Sequence, residues 1–375
     1  MQFSRTLYKY YQNFFFRGLF KPHTKPLKSI YNYFIIIPAY NEQLYIEKTL
    51  NSINEQSINL LQNTLVVIVI NNPANASIKI KHNNQSTYNQ IINNNYNFEL
   101  IVMDCFSNKY SFNERSAGVG LARKIGMDYC IKFSKTSSLF FSLDADTLVN
   151  KNYLKIIIKE YKEKRFQAAV INFKHQKNHN PIINKAIIEY ETLLKDMAIN
   201  IKNTGSIYGF VSMGSAMVCS MKAYVSIGGM PIKKATEDFY FLQKLAKYHG
   251  VYSIDEILVY PSSRAEQRIY LGTGFRMNNI NNKKIFDDLY IDTQAYIDLK
   301  QLYTIIDSNW DKKSSEIMSS VVQNNSKLYK YLNDNSFNQV FDSIQSNSLN
   351  KKQLLNQFHR WFDNLKIYKF LKLYG

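Results

Sequence analysis

The sequence predicts an α/β fold around a mostly parallel sheet, and three observations point there. Short β-branched and aromatic runs recur along the first part of the chain, helix-spaced stretches separate them, and the runs end on polar residues. The first run, FIIIP from Phe34, leads into a helical pattern that begins near Glu42. The second, LVVIVI from Leu65 to Ile70, stops at Asn71 and Asn72. Residues 74–97 are Asn-rich and weakly periodic, which predicts a surface insertion of low information content. The third run, ELIVMD, closes at Asp104. AGVGLARKIGMDYC then reads as a loop feeding a helix, and SLFFSLDAD as a fourth strand whose C-terminal end carries Asp144 and Asp146. Ligands of such sheets collect at the carboxyl ends of the strands, where Asn71, Asp104, Asp144 and Asp146 all fall.

Beyond Met277 the chain becomes Asn- and Lys-rich with helical spacing, and no strand-like run follows. The expected organisation is a basic aromatic segment over residues 1–30, a central domain over 31–275 divided near residue 150, and a helical tail over 276–375. A chain of 375 residues accommodates two or three domains of about 150 residues each. Its 45% hydrophobic content, with 13 Gly and 7 Pro, excludes a disordered polymer or a collagen-like repeat. Cys105, Cys130 and Cys219 lack CxxC or zinc spacing, so a reducing, cytoplasmic setting is expected. Neither a secretory leader nor a run of eighteen apolar residues is present, so neither secretion nor a membrane span is expected.

The net charge of +18 favours polyanions: nucleic acid, anionic lipid or phosphorylated ligands. Its distribution narrows the choice. Residues 1–30 carry six Lys or Arg and no acid, and residues 351–375 carry six against one Asp, so most of the excess sits at the two ends. A non-catalytic polyanion-binding protein would use such charge, but this placement gives no continuous nucleic-acid track, and no nucleic-acid partner is expected. Lys and Arg beside Phe, Tyr and Trp at both ends suit an anionic headgroup layer, which predicts a protein peripheral to the inner face of a membrane. The alternative is that these aromatics fill a core while the cations reach water.

Asp144 and Asp146 would lie on one side of an extended backbone and suit a hard divalent cation, Mn²⁺ or Mg²⁺, that bridges a diphosphate. A helix cap beside a solvated carboxylate is the plainer reading of an isolated DxD. The glycines at 118, 120 and 126 do not form a dinucleotide fingerprint, because Arg123 stands where the third glycine would be needed.

Taken together, IIIPAYNE at 35–42, AGVGLARKIGMD at 117–128, SLDAD at 142–146, GSAMVCSMKAYVSIGGMP at 214–231 and ATEDFYFLQKL at 235–245 resemble the family 2 glycosyltransferases. The matches follow the family's order over roughly residues 31–275. The resemblance implies a GT-A fold, with a Rossmann-like mostly parallel sheet, a donor-binding half over 31–150 and an acceptor half over 151–275. It implies an inverting, metal-dependent transfer of a hexosyl unit from a UDP- or GDP-sugar to a glycan or lipid-linked acceptor hydroxyl, in cell-surface glycan or glycolipid synthesis.

By the same resemblance Pro38, Ala39, Tyr40 and Glu42 hold the base and ribose, with Tyr40 facing the base. Asp144 and Asp146 hold the metal, and Arg123 and Lys124 lie against the donor nucleotide. Asp238 is the catalytic base, with Glu237 as second choice. Where the family often has an aspartate after its second strand this chain has Asn71 and Asn72, which can still bond a base or ribose hydroxyl and leave donor identity open. Asp104 joins the donor-binding set from its strand end. Arg264, Arg268 and Arg276, around a GTG turn, suit a leaving diphosphate or an anionic acceptor. His249 is a further candidate ligand, though KYHG also reads as a solvated helix end. A sugar nucleotidyltransferase would need a glycine- and base-rich phosphate loop after the first strand, and PAYNE is not one.

Overall fold

A computed structural model describes residues 2–25, 27–266 and 271–374. The chain forms two units, one from residues 1–184 and 212–275, the other from residues 185–211 and 276–375.

The first unit is built on a sheet of β1 (Lys21–Thr24), β2 (Tyr31–Ala39), β3 (Thr64–Asn71), β4 (Glu99–Cys105), β5 (Ser134–Ser142), β6 (Leu148–Val149), β7 (Ala168–Phe173), β8 (Met217–Ser220) and β9 (Tyr252–Tyr260). Their order is β1-β4-β3-β2-β5-β8-β7-β9-β6. Strands β4, β3, β2 and β5 run parallel, and β8 lies antiparallel between β5 and β7. Strand β9 is parallel to β7, while β1 and β6 close the two edges in antiparallel fashion. Every residue of β3 is buried, as expected of a parallel strand covered on both faces, and this is why LVVIVI is a continuous apolar run.

The strand order places the site. From β2 the chain moves outward through β3 to β4, whereas β5 returns to the opposite side of β2. The loops after β2 and β5 therefore diverge and leave a crevice between them, the topological switch point where ligands of open α/β sheets bind.

Two sequence expectations need correction. Residues 74–97 contain a helix, Ile78–Asn93, whose first turn is capped by the Ser77 hydroxyl and whose Asn84, Thr87 and Ile91 are buried. Asn is a poor helix former, so this helix owes its stability to tertiary contacts that its composition does not advertise. Strand β5 also ends at Ser142, which places Asp144 and Asp146 in the following turn rather than on extended backbone. The basic N-terminal segment supplies edge strand β1, and its helix Gln2–Asn13 lies against the helix Met221–Ser226.

The second unit is helical among its described residues. It includes Thr293–Ser308, Ser314–Asn324, Ser326–Asp334, Phe337–Ser346, Lys351–Trp361 and Asn364–Leu371. Asp292, Asn325, Asn350 and Asp363 each cap one of these helices through a side-chain oxygen. Leu299, Leu302, Leu332, Phe341, Phe358 and Phe370 belong to its core, so the phenylalanines of the C-terminal end are interior residues, while Trp361, Tyr368 and Tyr374 are half-buried.

The helix Val119–Cys130 approaches β2 and β3 most closely at Gly126, where a Cβ would fall 2.7 Å from Ile36 Cγ2 and 3.2 Å from Val69 Cγ2. In an open helix, Gly→Ala gains about 1 kcal/mol. Here the β-branched neighbours have no room to yield, and Gly126→Ala is expected to destabilise by about 1–3 kcal/mol, read as a lower denaturant midpoint at unchanged slope.

Candidate active site

The loop after β2 is shaped by asparagines. Asn41 adopts φ 62°, a left-handed conformation that Asn tolerates better than most residues, and it turns the chain toward the helix Ile46–Asn54. It does not cap that helix; Tyr45 stands at the cap position. The Asn41 N–H donates to Asn84 Oδ1 at 3.0 Å, and Asn84 Nδ2 donates to Asn71 O at 3.0 Å and Asn72 Oδ1 at 2.9 Å. Asn71 Nδ2 in turn donates to Ala39 O at 3.1 Å and Val69 O at 3.2 Å, tying the ends of β2 and β3 together. Pro38 and Ala39 are buried here, and Tyr40 is half-buried. Asn84 carried no sequence signal, since one asparagine in an Asn-rich stretch looks like any other. Asp104 closes the turn after β4, accepting from the N–H groups of Phe106 at 3.0 Å and Ser107 at 2.9 Å and from the Ser107 hydroxyl at 2.7 Å.

Across the crevice the turn after β5 is fixed by its backbone. Thr147 N–H donates to Asp144 O at 3.1 Å, Thr49 Oγ1 to Ala145 O at 2.8 Å, and Gln176 Nε2 to Asp146 O at 2.8 Å. Each aspartate side chain meets an arginine. Buried Arg123 donates Nη1 to Glu237 Oε1 and Nη2 to Asp144 Oδ1. Gly214 makes room for this fork, since a Cβ there would collide with the guanidinium. Arg264 donates Nη2 to both oxygens of Glu42, at 2.6 and 2.8 Å, sets Nε 3.1 Å from Asp146 Oδ2, and lies over the Tyr45 ring at 4.1 Å. Burial alone would lower the Arg123 pKa, but Asp144, Glu237 and Asp238 outweigh it, so the guanidinium stays charged.

The remaining cations stand elsewhere. Lys124 is buried in an ion pair with Asp128 at 3.1 Å. Arg276 forms a bidentate pair with Asp288, at 2.7 Å for each bond, in the second unit. Arg268 lies outside the described residues. His249 bonds the Ser226 hydroxyl at 2.6 Å from the end of its helix.

Glu237 and Asp238 open the helix Glu237–His249, after Thr236 at φ 64°. Glu237 is buried against Arg123, while Asp238 is half-buried and accepts from Phe239 N–H at 2.7 Å. Burial pushes Glu237 up to about 7 against the pull of Arg123, and burial raises Asp238 in the same direction. The site thus joins a turn bearing two carboxylates to a second acidic pair through one guanidinium.

Residues 34–224, about half of the chain, match the family model for glycosyl transferase family 2. The chain belongs to glycosyltransferase family 2. The sequence expectation of a GT-A fold holds, with its central sheet, flanking helices and helical C-terminal region. Among solved structures, residues 1–349 of S. aureus TarS in complex with UDP-GlcNAc share 14% identity, with 88% of this chain and 91% of that chain covered and a TM-score of 0.46. The mannosyltransferase PcManGT from Pyrobaculum calidifontis, in complex with GDP-Man and Mn²⁺, shares 12% identity with 96% and 93% covered and a TM-score of 0.39. No curated protein matches the chain. Among the described residues no helix is long and apolar enough to cross a membrane.

In this glycosyltransferase the donor set suits a divalent metal in one particular manner. No three His, Cys, Asp or Glu converge among the described residues, so no cage made by protein alone is present. Asp144 and Asp146, one residue apart and each paired with an arginine, are the carboxylates that would hold a hard cation and so neutralise a diphosphate.

Since its pKa is raised from 4.5 to about 7, Glu237 keeps a proton in the folded chain where the unfolded chain has lost it. Its contribution to stability is complete below about 4.5 and is lost as the pH rises through about 7. Glu237→Gln is expected to remove that decline, so that denaturant midpoints measured at about pH 5 and pH 8 differ less than in the wild type.

Proposed function

We propose that this glycosyltransferase moves a hexosyl unit from a nucleoside diphosphate sugar to an acceptor hydroxyl, with inversion and with a divalent cation. The observation that carries this reading is the Arg123 fork, which joins the Asp144 turn to Glu237 and so sets the neighbouring, half-buried Asp238 beside the same crevice.

In this mechanism Pro38, Ala39, Tyr40, Glu42 and Asn71 receive the base and ribose, and Asp144 and Asp146 hold the cation. When bound, Mn²⁺ or Mg²⁺ neutralises the diphosphate and stabilises it as a leaving group. Arg264 presents a fork suited to phosphate oxygens at the crevice wall, while buried Arg123 holds Asp144 and Glu237 in place. Asp238 takes the acceptor proton as the acceptor oxygen attacks the anomeric carbon from the face opposite the diphosphate, a role that contributes about 10²- to 10⁴-fold. Glu237, buried and held by Arg123, is less able to reach an acceptor.

Calorimetry with UDP and GDP, with and without Mn²⁺, tests both halves. Tight wild-type binding of one of them should require Mn²⁺, and Asp146→Ala should lose it. Asp238→Asn should keep that affinity while turnover of the matching nucleotide sugar falls by about 10²-fold. Metal-indifferent binding would remove the cation from the reading. A loss confined to Glu237→Gln would exchange the two acids.

The acceptor side of the proposal includes an anionic membrane surface. Tyr8, Phe14 and Leu19 are exposed among exposed Arg5, Lys9, Arg17 and Lys21, which supports docking through the N-terminal segment. At the C-terminal end Phe358, Phe362 and Phe370 are interior and support no such role. Co-sedimentation should occur with anionic vesicles, weaken with salt and drop several-fold in Tyr8→Ser/Leu19→Ser. Equal binding to neutral vesicles would argue against docking of this kind.

A further inference from the structure

The first twenty residues do not enter the proposed chemistry, yet their contacts lead to it. Asp128 is 2% exposed and accepts four hydrogen bonds. Its Oδ1 receives Tyr10 Oη at 2.5 Å and Tyr224 Oη at 2.7 Å, and its Oδ2 receives Phe16 N–H at 2.8 Å and Lys124 Nζ at 3.1 Å. Lys124 Nζ also donates to Tyr10 Oη at 3.1 Å. A buried carboxylate so fully satisfied is a rigid anchor, and losing one donor leaves an uncompensated acceptor. Burial and the Asp128 charge raise the Tyr10 phenol, which therefore stays protonated and donates.

Tyr10 also meets the turn that leads to the acidic pair. Gly229, at φ 74°, packs so closely that a Cβ there would collide with Tyr10 Oη and lie 3.0 Å from Tyr224 Oη. A Cβ on Gly228 would stand 3.2 Å from Phe14 Cε1. Farther along, a Cβ on Gly120 would fall 2.6 Å from Lys233 O and 2.7 Å from Pro231 O, and one on Gly118 would fall 2.7 Å from Lys234 Cα. The segment from Gly228 to Glu237 is therefore gripped at both ends. One grip is Tyr10 with Tyr224; the other is the first turn of the helix Val119–Cys130, where Arg123 then takes Glu237. The same helix carries Lys124 and Asp128, so both grips share one rigid body.

We propose that Tyr10 is a positioning residue for the Glu237–Asp238 pair, acting through Asp128 and the Gly228–Gly229 turn. Its hydroxyl fixes where the segment begins, and the helix Val119–Cys130 fixes where it ends. Misplacing a reacting group by about 1 Å can cost about 10²-fold in rate, so this distant contact bears on turnover more than on donor affinity. The inference rests on one of the two acids being the base.

Tyr10→Phe in the full chain tests it, with exposed Gln12→Ala on the same helix as control. Three quantities are read: amide exchange over residues 228–238, affinity for UDP and GDP with Mn²⁺, and turnover of the matching nucleotide sugar with water as acceptor. The variant is expected to exchange about tenfold faster in that segment, keep nucleotide affinity within about twofold, and lose about tenfold in kcat at unchanged donor KM. Gly229→Ala, strained by its φ of 74° as well as by the Tyr10 hydroxyl, should act in the same direction. Unchanged exchange over 228–238 would overturn the proposal, as would a fall in nucleotide affinity parallel to the fall in kcat, which would indicate general loosening. Asp238→Asn and Glu237→Gln are assayed alongside. If both keep full turnover, it is the assignment of the base that fails, and the exchange data still decide whether Tyr10 holds the turn.

Discussion

A guanidinium in a protein interior must be matched by charge, and Arg123 imposes that condition on three elements at once. It stands on the helix Val119–Cys130, and its partners arrive from the turn after β5 and from the helix Glu237–His249. Removing either carboxylate would leave the cation less than fully compensated at large cost, whereas the intact trio is a poor source of net stability. Its worth lies in specifying position. Gly214 forgoes a side chain to admit the fork, and Gly118 and Gly120 forgo theirs to admit the strand of chain that delivers Glu237. Three of the segments that resembled the family, those with Asp144, Gly214 and Glu237, meet around Arg123, which stands on a fourth.

Arg264 repeats the arrangement on the other wall, joining Glu42 after β2 to Asp146 after β5. The crevice that the strand order opens is thus bridged by charge on both sides. A ligand bearing a diphosphate enters a site whose anions and cations are already paired with one another, so binding involves exchange among partners rather than addition to bare charges. In such a site the geometry of each carboxylate is fixed before any ligand arrives, which lowers the ordering cost of binding.

The sheet was legible because its central strands are buried on both faces and read as unbroken β-branched runs. Strand β1 was not: KPHT contains a proline and has no apolar alternation, and only its backbone pairing with β4 makes it a strand. The helix Ile78–Asn93 was hidden by asparagines whose value emerges only when Asn84 meets the ends of β2 and β3. In the site, the residue types were visible but their pairing was not. Arg123 and Glu237 are 114 residues apart, and Arg264 and Glu42 are 222 apart, separations over which local pattern carries no information. The basic ends show the same limit, because an aromatic beside a lysine reads alike whether the ring faces water, as at Tyr8, or the interior, as at Phe358.

Strand β1 and Tyr10 are made early and seated late. Lys21 pairs with Asp104, and Tyr10 binds Asp128, 118 residues downstream, so neither contact can form until most of the parallel sheet has left the ribosome. Closing loops of that length costs entropy that only a formed partner surface offsets, which favours docking of residues 1–30 after the sheet rather than before it. During synthesis the exposed edge of β4 has no cover, and a chain halted at that stage offers an open strand to its neighbours. The six Lys or Arg and no acid of the first thirty positions give that segment one sign of charge, which opposes its association with other copies of itself.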